Sequence, residues 1–271
     1  PAAQRRAIYA VYAFCRHCDD SVDEGTSTEA KVKALADLQE DLTSTYTGQA
    51  TTPVYVALAD VVHKYDIPQE YFREIILGVE SDLVKNRFQT FEELREYCYR
   101  VASVVGLVCL QIFGYEDDDA KKYAVDLGLA MQLTNIIRDV REDFEMDRVY
   151  IPQDEMAKFG YSEDDLKNGV RNQPFQELIK FQAERAREYF DKGFKLLPYL
   201  SRRSRACPAV LGTLYSKVLS RIEDSDYDVL EVRVSLSKAE KIGITAKTWL
   251  GSMLSIPSSN FWEESLFPYT G

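Results

Sequence analysis

The stretch from Tyr123 to Phe144, YAVDLGLAMQLTNIIRDVREDF, carries two patterns at once. Leu127, Leu129, Met131, Leu133, Ile136, Ile137 and Val140 make most of the circumference of a helix apolar, and such a helix belongs in a protein interior. Gln132, Asn135, Asp139 and Asp143 step by threes and fours, so they form one polar stripe along it, with Arg138 beside them. Carboxylates on a buried helix need partners. Toward the N-terminus, residues 8–24, IYAVYAFCRHCDDSVDE, repeat the arrangement: Tyr12, Arg16, Asp19 and Asp23 share one face, with Asp20 alongside. A solvated acidic face is ordinary in a chain of net charge −11. Two acid pairs of the same spacing on two apolar helices weigh against that reading.

The remaining sequence extends the helical pattern. Periodicity predicts helices over about residues 2–24, 27–46, 53–65, 68–83, 91–113, 117–144, 175–197, 204–226 and 235–254, with no sustained alternation of strand type. Thr52-Pro53 reads as an N-cap followed by proline at the first helical position, and Gly48, Pro68, Pro174, Pro198 and Pro208 punctuate the connections. The longest expected non-helical piece is about 145–161. With 271 residues, 45% of them hydrophobic, the chain can bury a sizeable core. The expectation is an all-α, single-domain helical bundle around a central cavity, covering residues 1–271.

Composition narrows the function. An acidic chain gains nothing from counterion release, so nucleic acid is not an expected partner. Five cysteines with an odd count argue against a disulfide framework. Cys15 and Cys18 form a CxxC, but with no second pair and only two histidines they read as small side chains on a helix rather than zinc ligands. The longest apolar stretch, Val101 to Phe113, is too short to span a bilayer, and no signal peptide is recognisable. The start at Pro1 leads to the expectation that residues upstream are missing.

Like charges about 4 Å apart repel by about 1 kcal/mol in water and about 4 kcal/mol at an effective dielectric of 20. Four or five carboxylates facing one cavity therefore require cations. Oxygen ligands without histidine or thiolate suit magnesium, with manganese as the alternative, and magnesium is commonly completed by substrate phosphate oxygens. Arg16 and Arg138 supply fixed positive charge for the same phosphates. The expected ligand is a diphosphate bridged by metal ions between two helices. Such an arrangement stabilises a departing diphosphate. If the organic part is allylic, departure leaves a carbocation, which needs a dry, aromatic-walled cavity. Tyr9, Tyr12, Phe14, Tyr97 and Tyr99 are near enough in sequence to contribute, although most aromatic side chains serve ordinary packing.

Four segments make these residues recognisable: YAFCRHCDDSVD (12–23), DLVKNRFQTFEELREYCYRVASVVG (82–106), QLTNIIRDVREDFEMDRVYIPQDE (132–155) and LYSKVLSRIEDSDYDVLEVRVSLSKAEK (214–241). The chain resembles the phytoene synthase/squalene synthase family, most of all its phytoene or dehydrosqualene synthases. The resemblance implies an isoprenoid-synthase-type bundle in which Asp19, Asp23, Asp139 and Asp143 bind magnesium, with Asn135 a further ligand. It implies that Tyr12, Arg16, Gln132 and Arg138 touch the diphosphates, and that Tyr215 and Arg233 form a late diphosphate-binding pair. Tyr97 matches a tyrosine implicated in the first half-reaction, and Val101, Ala102 and Gly106 match positions lining the prenyl tunnel. Asp82 matches a recurrent acid of open role.

The implied activity is head-to-head condensation of two prenyl diphosphates through a cyclopropylcarbinyl diphosphate. Geranylgeranyl diphosphate would give phytoene, and farnesyl diphosphate dehydrosqualene or squalene. NADPH is not expected unless squalene is the product. Head-to-tail elongation or terpene cyclisation also fits the DDxxD at 19–23, and a non-catalytic assembly factor is the third reading. A serine- and phenylalanine-containing motif is expected just before Pro1, so C15 against C20 choice stays open, and Arg141 stands where many relatives have glycine. The expected location is cytoplasmic or peripheral at a membrane, or a plastid if the source is a plant or alga; the basic run 202–205 reads first as a solvated helix start and second as a contact for an anionic surface.

Overall fold

A computed structural model of the chain describes residues 2–23, 25 and 27–254. Within them run α1 (Ala2–Asp23), α2 (Thr28–Tyr46), α3 (Pro53–Tyr65), α4 (Gln69–Val84), α5 (Phe91–Cys98), α6 (Val104–Phe113), α7 (Asp119–Arg138), α8 (Val140–Glu145), α9 (Gln153–Phe159), α10 (Glu163–Lys167), α11 (Gln173–Gly193), α12 (Arg202–Asp224) and α13 (Lys238–Leu254). Among the described residues there is no strand, only a single parallel bridge between Arg87 and Val149. Local sequence sets many of the starts: Ser27, Thr90 and Asn172 each accept a hydrogen bond from a first-turn N–H. Ser162 and Asp165 form a reciprocal capping box.

Helix α7 is the axis of the bundle, packed against α11, α6 and α12. Small residues allow the closest approaches. A Cβ on Gly128 would lie 2.6 Å from the Ser103 Cα, and one on Gly193 would lie 2.7 Å from the Leu127 Cα. Around α7 gathers one hydrophobic cluster, with Phe175, Phe190, Leu178 and Leu219 fully enclosed. A second cluster joins α1 to α2, α3, α4 and α6 through Phe14, Tyr55, Phe72 and Leu58. Tyr71 and Tyr99 pack against both clusters.

Several expectations are corrected. The single helix expected over 91–113 is interrupted by a π turn at Tyr99–Ser103. The expected helix over 117–144 breaks at Asp139, whose φ of −103° and ψ of 15° leave the helical range. The stretch 145–161, expected to be irregular, contains α9, which Pro152 precedes and Asp154 and Glu155 open. Pro208 lies inside α12 and Pro174 in the first turn of α11, so neither sits in a connection. Thr52 occupies the N-cap of α3 without a side-chain capping bond. The helical run Phe91–Phe113 is long and apolar enough by composition to cross a membrane, against the shorter stretch read from sequence. Its buried face, including Leu94, Val104, Val108 and Ile112, forms core contacts. Of the basic run, Arg202 and Arg203 are exposed, whereas Arg205 is buried and donates to the Leu200 carbonyl.

Candidate active site

The polar stripe of the central helix survives its break. Where α7 ends, the Arg138 guanidinium pairs with both carboxylate oxygens of Asp139, Nε donating to Oδ1 at 2.8 Å. Arg233, 94 residues further on, donates from Nε to the same Oδ1 at 2.8 Å and stands 3.5 Å from Glu142. Burial opposes ionisation of Asp139, but the two arginines outweigh it and hold its carboxyl below the usual range. One turn later the balance reverses. Asp143 is pushed up to about 7, first by burial and then by the negative charge of Asp139, with Arg148 only partly offsetting them. One turn earlier, Asn135 donates to Gln132 Oε1 at 3.4 Å, while its own Oδ1 is buried without a hydrogen-bond partner. Gln132, Asn135, Arg138, Asp139, Asp143 and Arg233 are thus brought into one neighbourhood.

A second feature lies beside it. Residues 86–89 pair with 149–154: Val149 donates to the Asn86 carbonyl at 2.9 Å and Gln153 to the Phe88 carbonyl at 2.9 Å. Arg87 fastens the far end, donating to the Asp147 carbonyl and carboxylate and to Glu163. This pairing sets Tyr150 against Phe88, stacked at 5.7 Å, and Tyr97, stacked at 5.2 Å, with Phe88 and Tyr97 also in contact at 5.3 Å. The Tyr97 hydroxyl donates to that of Tyr150 at 3.3 Å, which in turn donates to Asp82 Oδ1 at 3.4 Å. A small cavity of about 10 Å³ lies between Asp143, Arg148 and Tyr150. Sequence reasoning gave Tyr150 and Arg148 no role. Their signal was the pattern RVYIP at 148–152, which entered only as part of the segment that carries the family resemblance.

On α1, Arg16 pairs with Asp20 one turn on, at 2.7 Å, on an exposed face. Tyr12 is 68% exposed. Asp19 stands near enough to Cys15 and Cys18 that its charge, after burial, helps raise both thiols, Cys15 to about 12. All five cysteines are free. Asp23 closes α1, but its side chain is outside the described set. Val101 and Ala102 sit in the π turn, a distortion frequent at functional sites. Val101 packs on Gly78, where a Cβ would approach it to 3.0 Å. Gly106 admits the Ala124 carbonyl, which a Cβ would meet at 3.3 Å. Tyr215 packs half-buried against the α7 cluster. Among the described residues no three acidic, histidine or cysteine side chains are gathered closely enough to hold a metal ion.

Comparison with known proteins settles the family. The squalene/phytoene synthase family model matches residues 1–240. The chain belongs to the squalene/phytoene synthase family. It is 36% identical over 255 residues to a phytoene synthase of Arthrospira platensis, covering 89% of this chain and 82% of that protein. It is also 36% identical over 254 residues to a 15-cis-phytoene synthase of Synechococcus elongatus, with the same coverages. Among solved structures, a ligand-bound dehydrosqualene synthase superposes with a TM-score of 0.84 at 29% identity, covering 93% of this chain and 89% of that one. The squalene synthase HpnC of Alicyclobacillus acidocaldarius superposes with a TM-score of 0.80 at 30% identity, covering 84% and 86%. The architecture is therefore the all-α isoprenoid-synthase bundle expected from sequence.

The residues of this squalene/phytoene synthase-family chain fit a divalent cation. Asn135 Oδ1 is buried and unpartnered, and Asp143 resists ionisation because burial and the charges of Asp139 and Glu142 outweigh Arg148 and Arg138. Both conditions are relieved by an oxygen-seeking cation, and the donor set of amide and carboxylate oxygens is the kind magnesium takes.

Proposed function

We propose that the protein condenses two geranylgeranyl diphosphates head to head to phytoene, through a cyclopropylcarbinyl diphosphate, as one catalytic domain. The observation that carries this reading is the cluster at the α7 break: Asp139 between two arginines, Asp143 held near neutrality and the free oxygen of Asn135. The two relatives named phytoene synthase, each 36% identical over 89% of the chain, favour the C20 substrate.

Asn135, Asp139 and Asp143 would hold magnesium on this helix, and Asp19 and Asp23 would hold it on α1. When bound, the metal neutralises a departing diphosphate. Arg138, Arg16 and Arg233 supply fixed positive charge to the same group; Arg233 and Arg138 would turn from Asp139 to the diphosphate. Tyr12, Gln132 and Tyr215 complete its polar surroundings. Tyr97, with Val101, Ala102 and Gly106, borders the prenyl chains, where the exclusion of water protects the allylic cation. Attack on that cation by the second molecule's double bond gives the cyclopropyl intermediate. Its ionisation, rearrangement and loss of a proton give the hydrocarbon. An apolar product also favours transient contact with a membrane surface.

The superposition with a dehydrosqualene synthase supports farnesyl diphosphate as the second reading. The full-length protein incubated with each labelled diphosphate and magnesium, with and without NADPH, separates them. A C40 hydrocarbon independent of NADPH is expected. A C30 hydrocarbon alone rejects the C20 choice, and consumption of isopentenyl diphosphate rejects head-to-head chemistry.

A further inference from the structure

We infer that Tyr150 and Asp82 position the Tyr97 hydroxyl and carry away the proton released in the last step of the proposed reaction, an inference that rests on that reading. Tyr97 and Tyr150 are 7% and 8% exposed, and their rings pack with Phe88 in a three-ring cluster. Two phenols are a costly filling for an aromatic core unless they are used or paired. Here they are paired with each other and with Asp82, which lies within hydrogen-bond reach of both. Tyr97 donates to Tyr150, and Tyr150 donates to Asp82. Tyr97 has thus committed its proton away from the substrate, and what its oxygen can offer an incoming group is a lone pair.

Burial drives Tyr97 far above, and Tyr150 to about 12, against phenolate formation. Tyr97 therefore cannot wait as a base by ionising first. A concerted relay does not ask it to. The C–H bond beside the carbocation breaks and its electron pair becomes the new C=C bond. That proton bonds to Tyr97 Oη as the proton of Tyr97 passes to Tyr150 and the proton of Tyr150 passes to Asp82. Both tyrosines end neutral, and the charge of the cation is cancelled by conversion of carboxylate to carboxylic acid. Asp82, on the last turn of α4, is half-exposed and returns the proton to water. The register of the whole chain is fixed by the 86–89 and 149–154 pairing, which leaves Tyr150 no freedom to turn out.

The test compares wild-type protein with Tyr150→Phe, Asp82→Asn and the rescue variant Asp82→Glu, using labelled geranylgeranyl diphosphate and magnesium. Tyr150→Phe and Asp82→Asn are expected to keep KM within about twofold and to lose about 10²-fold in kcat, the scale of positioned acid–base groups. Their product should shift from hydrocarbon to alcohols formed by water capture, and Asp82→Glu should recover hydrocarbon. If Tyr150→Phe does not fold, Asp82→Asn and Asp82→Glu still decide. Variants that give hydrocarbon as the sole product, at whatever rate, overturn the relay alone. A wild-type protein that forms no hydrocarbon from either prenyl diphosphate overturns the reaction itself, and the relay with it.

Discussion

Asp139 is held by two arginines, its neighbour Arg138 and the distant Arg233, and that decides what it is for. A carboxylate whose two arginines outweigh the burial that opposes its ionisation is available as an anionic ligand at neutral pH. Replacing it with asparagine removes a charge without removing volume. Asp139→Asn is expected to leave circular dichroism and thermal midpoint near wild type while lowering magnesium-dependent turnover by about 10²–10³-fold; unchanged turnover would take Asp139 out of the site. Asp126, also on α7, is the opposite case. Its Oδ2 is buried with no hydrogen-bond partner, and burial, only partly offset by Lys192 and Lys122, raises its pKa. The fold therefore binds this proton more tightly than the unfolded chain does. The stability it contributes is full below the unfolded pKa and falls away as pH rises through the folded one. Asp126→Asn should stabilise the protein at neutral pH by about 0.5–1 kcal/mol, a modest figure because the group is partly solvated. The advantage should shrink as denaturant melts are repeated at lower pH. A variant less stable than wild type at pH 7 would contradict this.

At the scale of elements, the crossing of α7 over the π turn sets the distance between Val101 and Ala102 and the acid stripe. Gly128 is its contact point. Gly128→Ala would drive a Cβ to 2.6 Å from the Ser103 Cα and 2.9 Å from its nitrogen, against backbone that cannot rotate away. A loss of about 3 kcal/mol is expected in chemical denaturation, whereas a loss under 1 kcal/mol would mean the helices slide freely. Periodicity made α1 and α7 legible because their apolar and polar faces differ so sharply. The π turn at 99–103 was hidden because one extra residue per turn barely changes an apolar pattern. The break at Asp139 was hidden because the hydrogen bonds from Asp139 to Asn135 and from Asp143 to Asp139 keep helical spacing through it. Helices α9 and α10 are too short to show a period. Likewise, the acid stripe could be read from its own spacing, whereas Arg233 emerged only through family resemblance. Tyr150 was missed, since its place depends on a pairing between two loops.

Over the whole molecule, Tyr71 and Tyr99 pack against both hydrophobic clusters and join them, while polar side chains tie the helices around α7 to one another. Glu155 pairs with Arg185 and Gln182 across α9 and α11, and Arg187 pairs with Glu223 across α11 and α12. The acids assigned to the proposed site lie on α1 (Asp19, Asp23), at the junction of α7 and α8 (Asp139) and on α8 (Asp143). A ligand that bridges them adds to global stability by mass action. Magnesium and inorganic diphosphate together are expected to raise the thermal midpoint by several degrees, more than the two added separately. Strictly additive shifts would mean that no shared site forms. The most direct measurement is turnover of labelled geranylgeranyl diphosphate by the full-length protein with magnesium and, in parallel, with excess chelator. A C40 hydrocarbon that disappears on chelation is the predicted result; diphosphate release or product formation that persists without divalent metal would contradict it.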